Sequence, residues 1–228
     1  MARNGEMIEF AAGSGSAPGY LARPASGSGP GLVVLQEYWG LVEHIKDVAD
    51  RFAAEGFVTL APDLFRGEST TDPDDAGRKM MALDIDRAGQ DVAAAVDHLR
   101  ALGAVAPKKV AVMGFCMGGQ LALQAAVEHG DTVACAVDFY GIHPNVQLDF
   151  SRLLVPVLAH FATRDEFVDE PSARALVSSI EGAGGSIDAH FYETGHAFFN
   201  DARPDAYDEA SAKTAMTRTL DFLHDQLG

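Results

Sequence analysis

The sequence predicts a doubly wound, mainly parallel α/β sheet of about seven or eight strands, flanked by helices and without a cap domain. Three observations predict it. Short runs rich in Val, Ile, Leu and Phe alternate along the chain with amphipathic stretches. From the third run onward the strands are continuously apolar instead of alternating, as expected for strands covered on both faces. No connection is long enough to hold a cap: the one from Tyr140 to Val155 is about fourteen residues.

The elements follow in order. Strands at Met7–Phe10 and Tyr20–Arg23 are expected to pair as an antiparallel edge. Ala25–Pro30, rich in Gly and Ser, is a surface turn. Strand Gly31–Gln36 leads to helix Val42–Glu55, whose Ile45, Val48, Ala49 and Phe52 share one face. Strand Phe57–Ala61 comes next, and Thr70–Asp75 with Pro73 reads as a polar loop. Helix Asp84–Leu102 places Ile85, Ala88, Val92, Ala95 and Leu99 at helical spacing. Strand Lys109–Gly114, helix Gln120–His129, and strands Val133–Tyr140 and Val155–Phe161 continue the alternation. Helix Ser172–Glu181 is opened by Pro171, and strand Ile187–Tyr192 and helix Tyr207–Leu227 close the chain.

At 228 residues the chain is expected to form one domain over 1–228, with room for a full core. Acidic residues outnumber basic ones 33 to 17, for a net charge of −16, with no Lys/Arg cluster. Such a surface repels phosphates and anionic lipid, which argues against nucleic acid and membranes as partners. Met1–Gly19 holds no apolar core of signal-peptide length, and no run reaches membrane-spanning length. A cytoplasmic location is therefore expected, and it suits a functional free thiol. The two cysteines, Cys116 and Cys135, do not make a disulfide framework. Cys135, within a strand, reads as a small buried hydrophobe. Monomer and homodimer both stay open.

The most informative stretch is Lys109–Gly119, an apolar strand that stops at Gly114 and restarts as a helix after Gly118, with Cys116 at the apex. A turn that sharp needs glycines where a β-carbon would clash. It pushes the apex side chain out of the sheet at the positive end of the helix. A helix N-terminus lowers a thiol's pKa and offers backbone N–H groups to developing negative charge. This is the pattern of a nucleophile elbow with cysteine in place of serine; the alternative is a buried Cys in a tight turn. The glycines do not form a phosphate loop, because the Lys-Ser/Thr ending and the dinucleotide spacing are absent.

A nucleophile needs a base and a group to orient it, and in an open α/β sheet these belong at the carboxyl ends of strands. Asp165 lies just past one strand end and His196 past the next. The order Cys116, Asp165, His196 is that of α/β-hydrolases. Glu166 and Asp169 are rivals for the acid role, and a plain loop histidine is the alternative for His196. His44, His98, His129 and His224 read as solvated helix residues, and His190 alternates within a strand. His160 and His143 come near the active edge as minor substrate candidates. No His/Cys/Asp spacing resembles a metal site, and no cofactor is expected. Glu37, at the exit of an apolar strand, either caps the next segment or faces the cleft. The loop it begins would supply the second oxyanion donor, the Tyr38 N–H, beside that of Met117.

With these residues in view, the chain resembles the dienelactone hydrolase family of α/β-hydrolases, the carboxymethylenebutenolidase-like enzymes. The match is carried by Gln36–Leu41, Ala61–Phe65, Gly114–Gly119, Asp165–Val168, Gly195–Phe198 and Thr219–Leu223. The resemblance implies a Cys-His-Asp triad on Cys116, His196 and Asp165. It also implies that Glu37 is a switch, held away from a neutral thiol at rest and turned towards Cys116 by substrate to take its proton. A carboxylate becomes a competent base for a thiol only if desolvation lifts its pKa while the helix end lowers the thiol's.

The sequence departs from the founding enzymes at the two arginines that hold a substrate carboxylate. Aligning on Ala82–Asp84 brings Pro73 to the first position, with Arg78 near. Counting from His196 brings Asn200 to the second, with Arg203 three residues later. Hydrolase chemistry thus carries over, and dienelactone specificity does not. Arg203, Arg66 and Arg164 are candidate anion contacts, surface ion pairing being the alternative; Tyr140 and Phe198 are further candidate substrate contacts. The resulting expectation is a hydrolase of small esters or lactones. The alternatives are a catalytically weak ligand-binding protein and a redox-responsive thiol protein.

Overall fold

The computed structural model describes residues 5–13 and 15–228. Residues 1–4 and 14, part of the Met1–Gly19 stretch read as holding no apolar core of signal-peptide length, lie outside it. Eight strands form one sheet: β1 (Glu6–Ala12), β2 (Gly15–Ala22), β3 (Gly31–Leu35), β4 (Val58–Pro62), β5 (Val110–Phe115), β6 (Val133–Phe139), β7 (Val157–Ala162) and β8 (Ile187–Tyr192). Six helices accompany them: α1 (Glu43–Ala54), α2 (Pro73–Met81), α3 (Ile85–Ala101), α4 (Met117–Glu128), α5 (Glu170–Gly182) and α6 (Glu209–Leu227). Among the described residues a single 3-10 turn sits at Phe150–Arg152. The strand order is β1-β2-β4-β3-β5-β6-β7-β8. β1 and β2 form the expected antiparallel edge, β2 runs antiparallel to β4, and every later pairing is parallel.

Strand alternation splits the core. Leu32 and Val34 of β3 face α1 and α6, in a cluster with Ile45, Phe52, Leu223 and Leu227. Val33 and Leu35 face the other way, onto α3 and α4, with Val92, Leu99 and Leu121. The central strands β3 to β7 are buried on both faces, which is why they read as continuous apolar runs. β8 departs from that expectation. It pairs only with β7, and most of its residues keep partial exposure.

The segment read as a polar loop at Thr70–Asp75 instead opens α2. Asp72 caps the helix through its side chain, which accepts from the Asp75 N–H at 2.8 Å, and Pro73 takes the first turn. Only Ala76 of this helix is buried, so it carries no apolar stripe to betray it. The helix after the elbow begins at Met117, earlier than the Gln120 expected, because Cys116 is itself its N-cap.

Candidate active site

The parallel strands all end on one edge of the sheet, and the singled-out side chains follow those ends. Glu37 comes just after β3, Cys116 directly after β5, Asp165 after β7 and His196 after β8. Cys116 has φ 54° and ψ −124°, a conformation costly for a side-chain-bearing residue and characteristic of functional sites. Two glycines make it possible. A β-carbon on Gly114 would stand 1.9 Å from the Gly118 carbonyl oxygen, and one on Gly118 would stand 2.6 Å from the Gln36 carbonyl oxygen. The Cys116 N–H donates to the Phe139 carbonyl at 2.9 Å, which ties the turn to β6. The Cys116 side chain makes no capping hydrogen bond. Of the first-turn N–H groups of α4, that of Gly119 donates to the Cys116 carbonyl at 2.9 Å and that of Met117 takes no backbone partner among the described residues, at the positive end of the helix.

Asp165 is fixed by its own loop. Its Oδ1 accepts the backbone N–H of Phe167 at 2.8 Å and of Val168 at 2.9 Å. That leaves Oδ2 to meet His196 Nδ1 at 2.7 Å. Cys116 lies near enough to the imidazole to act on its pKa. Burial alone would push the His196 pKa down, but the hydrogen bond to Asp165, the nearness of Cys116 and the charges of both raise it to about 10. The rival carboxylates stand elsewhere: Asp169 caps α5 by accepting from Ser172 N–H at 2.7 Å, and Glu166 is exposed.

Glu37 is only 1% exposed. Its Oε2 accepts from Asn200 Nδ2 at 2.7 Å, and its Oε1 lies 3.5 Å from the Tyr140 hydroxyl. Its carboxylate is thus turned to Asn200 and Tyr140. Tyr140 itself has φ 45° and is fully buried; burial first, then the Glu37 charge, keeps its phenol protonated well above the ordinary range. The Tyr38 N–H takes no backbone partner among the described residues. Its phenol is raised by burial and by the Cys116 charge, against the opposing pull of Arg203.

Several expected contacts go to other duties. Arg66 makes a two-pronged ion pair with Asp91 of α3, at 2.6 and 2.8 Å, and also donates to the Ser16 carbonyl. It is thereby held by the flank of the sheet. Arg164 donates to the Glu193 carbonyl. Phe198 is fully buried against Tyr140 and Tyr192 and forms a wall behind the site. Tyr140 acts on Glu37 from within the core. His160 bridges Tyr192 and Thr219 at 2.9 and 3.0 Å, and His143 accepts from Asn145 N–H at 3.1 Å; both are structural. His44, read as solvated, is buried, because the α1 face that carries it packs edge-on to Phe115. Its Nδ1 lies 3.4 Å from Asp201.

Of the candidate arginines, Arg164 and Arg203 both line the cavity that opens on His196, and Arg203 reaches further, to Trp39. Its guanidinium lies 5.1 Å from the Trp39 ring centroid, and it borders two cavities. The larger, about 510 Å³, runs from Trp39 past the start of α1 to Asn200 and touches neither Cys116 nor His196. The smaller, about 360 Å³, opens on His196 between Phe167 and Tyr207. Asn200 and Phe167 are the residues whose placement the sequence left unread. Asn200 was visible only as the occupant of a position where the founding enzymes carry arginine. Phe167 was hidden inside the motif that supplies Asp165.

Comparison with known proteins places this fold among others. The chain is 36% identical to Protein usf of Aquifex pyrophilus, over 98% of this chain and 99% of that one. It is 35% identical to a carboxymethylenebutenolidase of Pseudomonas sp. (strain P51), over 93% and 92% of the two chains. A dienelactone hydrolase-like promiscuous phosphotriesterase from metagenomic libraries superposes with a TM-score of 0.86 at 25% identity, covering 98% of each chain. The sheet, its strand-end site and these likenesses are those of an α/β-hydrolase fold. Residues 17–227 match the pattern of the dienelactone hydrolase family, and the chain belongs to that family.

Proposed function

We propose that the protein hydrolyses small esters or lactones with Cys116 as nucleophile, Asp165 and His196 completing the triad, and Glu37 as an activating carboxylate. The observation that carries this reading is the 2.7 Å hydrogen bond from His196 Nδ1 to Asp165 at the carboxyl edge of the sheet, with Cys116 near enough to the same imidazole to raise its pKa. The sulfur attacks the carbonyl carbon and its proton passes to Glu37, which substrate draws from Asn200. The oxyanion rests on the N–H groups of Tyr38 and Met117. His196 protonates the departing oxygen as the thioester forms. It then takes a proton from water, which attacks the thioester; the acid leaves, and the expelled thiolate takes back the proton held by Glu37. Asp165 holds the imidazole in the tautomer these steps need. In a lactone the leaving oxygen stays tethered, so hydrolysis must outrun ring closure.

The carboxymethylenebutenolidase among its relatives supports a small-molecule lactone or ester as substrate. The structure is read as one domain, working in the cytoplasm without cofactor, as monomer or homodimer. No helix among the described residues is long and apolar enough to cross a membrane. The test is Cys116→Ala, which is expected to abolish turnover of a short-chain nitrophenyl ester, while Cys116→Ser retains part of it. Undiminished turnover in the alanine variant would overturn the assignment.

A further inference from the structure

The cavity on His196 has a use that a lactone does not require. In ester cleavage His196 delivers its proton to the leaving oxygen, so the alcohol portion must lie on the imidazole side of the site. A lactone carries its leaving oxygen in the same ring as its carbonyl and needs no separate room there. Yet about 360 Å³ of space opens on His196, lined by Phe167, Tyr207, Thr194 and Arg203, enough for a ring-sized group.

The Phe167 ring is 70% exposed, its centroid 4.9 Å from that of His196 and its plane tilted by 48°. It is not a stray surface residue. Its N–H is held at 2.8 Å by Asp165 Oδ1, so the carboxylate that orients the imidazole also sets this aromatic face beside it. Tyr207 stands across the cavity with its ring partly exposed. Glu166, Asp205 and Asp208 line the cavity together with Arg164 and Arg203. The two cations are already engaged, Arg164 with the Glu193 carbonyl and Arg203 over Trp39. This lining disfavours an anionic group, and the aromatic walls favour a flat apolar one.

Resting on the hydrolase reading above, we propose that this cavity is the leaving-alcohol subsite, and that the enzyme prefers esters whose alcohol carries an uncharged aromatic ring, with Phe167 as the specificity-determining residue. The test compares kcat/KM for benzyl acetate, ethyl acetate, ethyl phenylacetate and γ-butyrolactone in the wild type, Phe167→Ala and Phe167→Tyr. The wild type is expected to favour benzyl over ethyl acetate by about tenfold. Phe167→Ala should lose that preference, its kcat/KM for benzyl acetate falling about tenfold further than those for ethyl acetate and ethyl phenylacetate. Phe167→Tyr, which retains the ring, should keep it. Equal wild-type rates on benzyl and ethyl acetate overturn the subsite and leave the hydrolase standing. So does a uniform loss across all esters in Phe167→Ala, which would make the ring mere packing for His196. A loss confined to ethyl phenylacetate overturns it too, by placing the cavity on the acyl side. If the wild type turns over none of the four, the hydrolase reading falls and the subsite with it.

Discussion

Asp165→Asn isolates the orienting role from the folding role of one side chain. The asparagine oxygen can keep both backbone N–H bonds, from Phe167 and Val168, that Oδ1 now accepts. The loop should therefore hold its shape. The amide group then faces His196 Nδ1, which Oδ2 accepts at 2.7 Å in the native protein. An N–H donor there forces Nδ1 to accept, puts the ring proton on the side facing Cys116, and leaves that nitrogen unable to act as a base. Loss of the correct tautomer in a triad of this kind costs about 10³ to 10⁴ in kcat, or roughly 4 to 5.5 kcal/mol in the barrier.

The same substitution should change how stability responds to pH. The His196 pKa is raised from 6.5 to about 10 in the fold. Its stabilising contribution is therefore complete below about 6.5 and fades as pH rises through about 10. Asp165→Asn removes one of the two groups that raise it, so the decline over that window should flatten. Steady-state kinetics on a short-chain nitrophenyl ester from pH 5 to about 10, together with urea unfolding at the same pH values, checks both. A variant with near-native kcat and an unchanged pH profile would refute the orienting role.

Three further outcomes are expected. Asn200→Ala deprives the buried Glu37 carboxylate of its 2.7 Å donor, costing about 1 to 3 kcal/mol of stability, and by freeing Glu37 it should speed alkylation of Cys116 by iodoacetamide. Unchanged midpoint and alkylation rate would show that the latch does nothing. His160→Leu leaves Tyr192 and Thr219 without their shared partner, so the urea midpoint should fall by an equivalent of about 1 to 3 kcal/mol with kcat within about twofold of native. Burial, with help from His190 and Arg218, also keeps the His160 pKa well below 6.5. The native protein should therefore lose stability as pH falls below about 6.5, and the leucine variant should lose less. Finally, a thiol reagent should label one cysteine per native chain, at Cys116, because Cys135 is buried and its pKa is pushed up to about 12. Labelling at Cys135 without denaturant would contradict that burial.

The sequence by itself determined whatever depends on local chemistry. Continuous apolar runs marked the doubly covered strands β3 to β7, because a strand buried on both faces has no polar side to show. Glycines spaced around Cys116 marked the elbow, because no other residue fits where the Gly118 and Gln36 carbonyls crowd the turn. Asp165 and His196 were legible from their places after strand ends. Tertiary structure decided what depends on meetings between distant segments. That Asn200 reaches Glu37, that Arg66 is claimed by Asp91, and that His44 is sealed against Phe115 are contacts across tens of residues, and side-chain type alone does not choose among the partners a fold can bring near. α2 escaped notice for a simpler reason: a helix that buries only Ala76 has no apolar stripe, and its capping Asp72 and Pro73 read equally well as a turn.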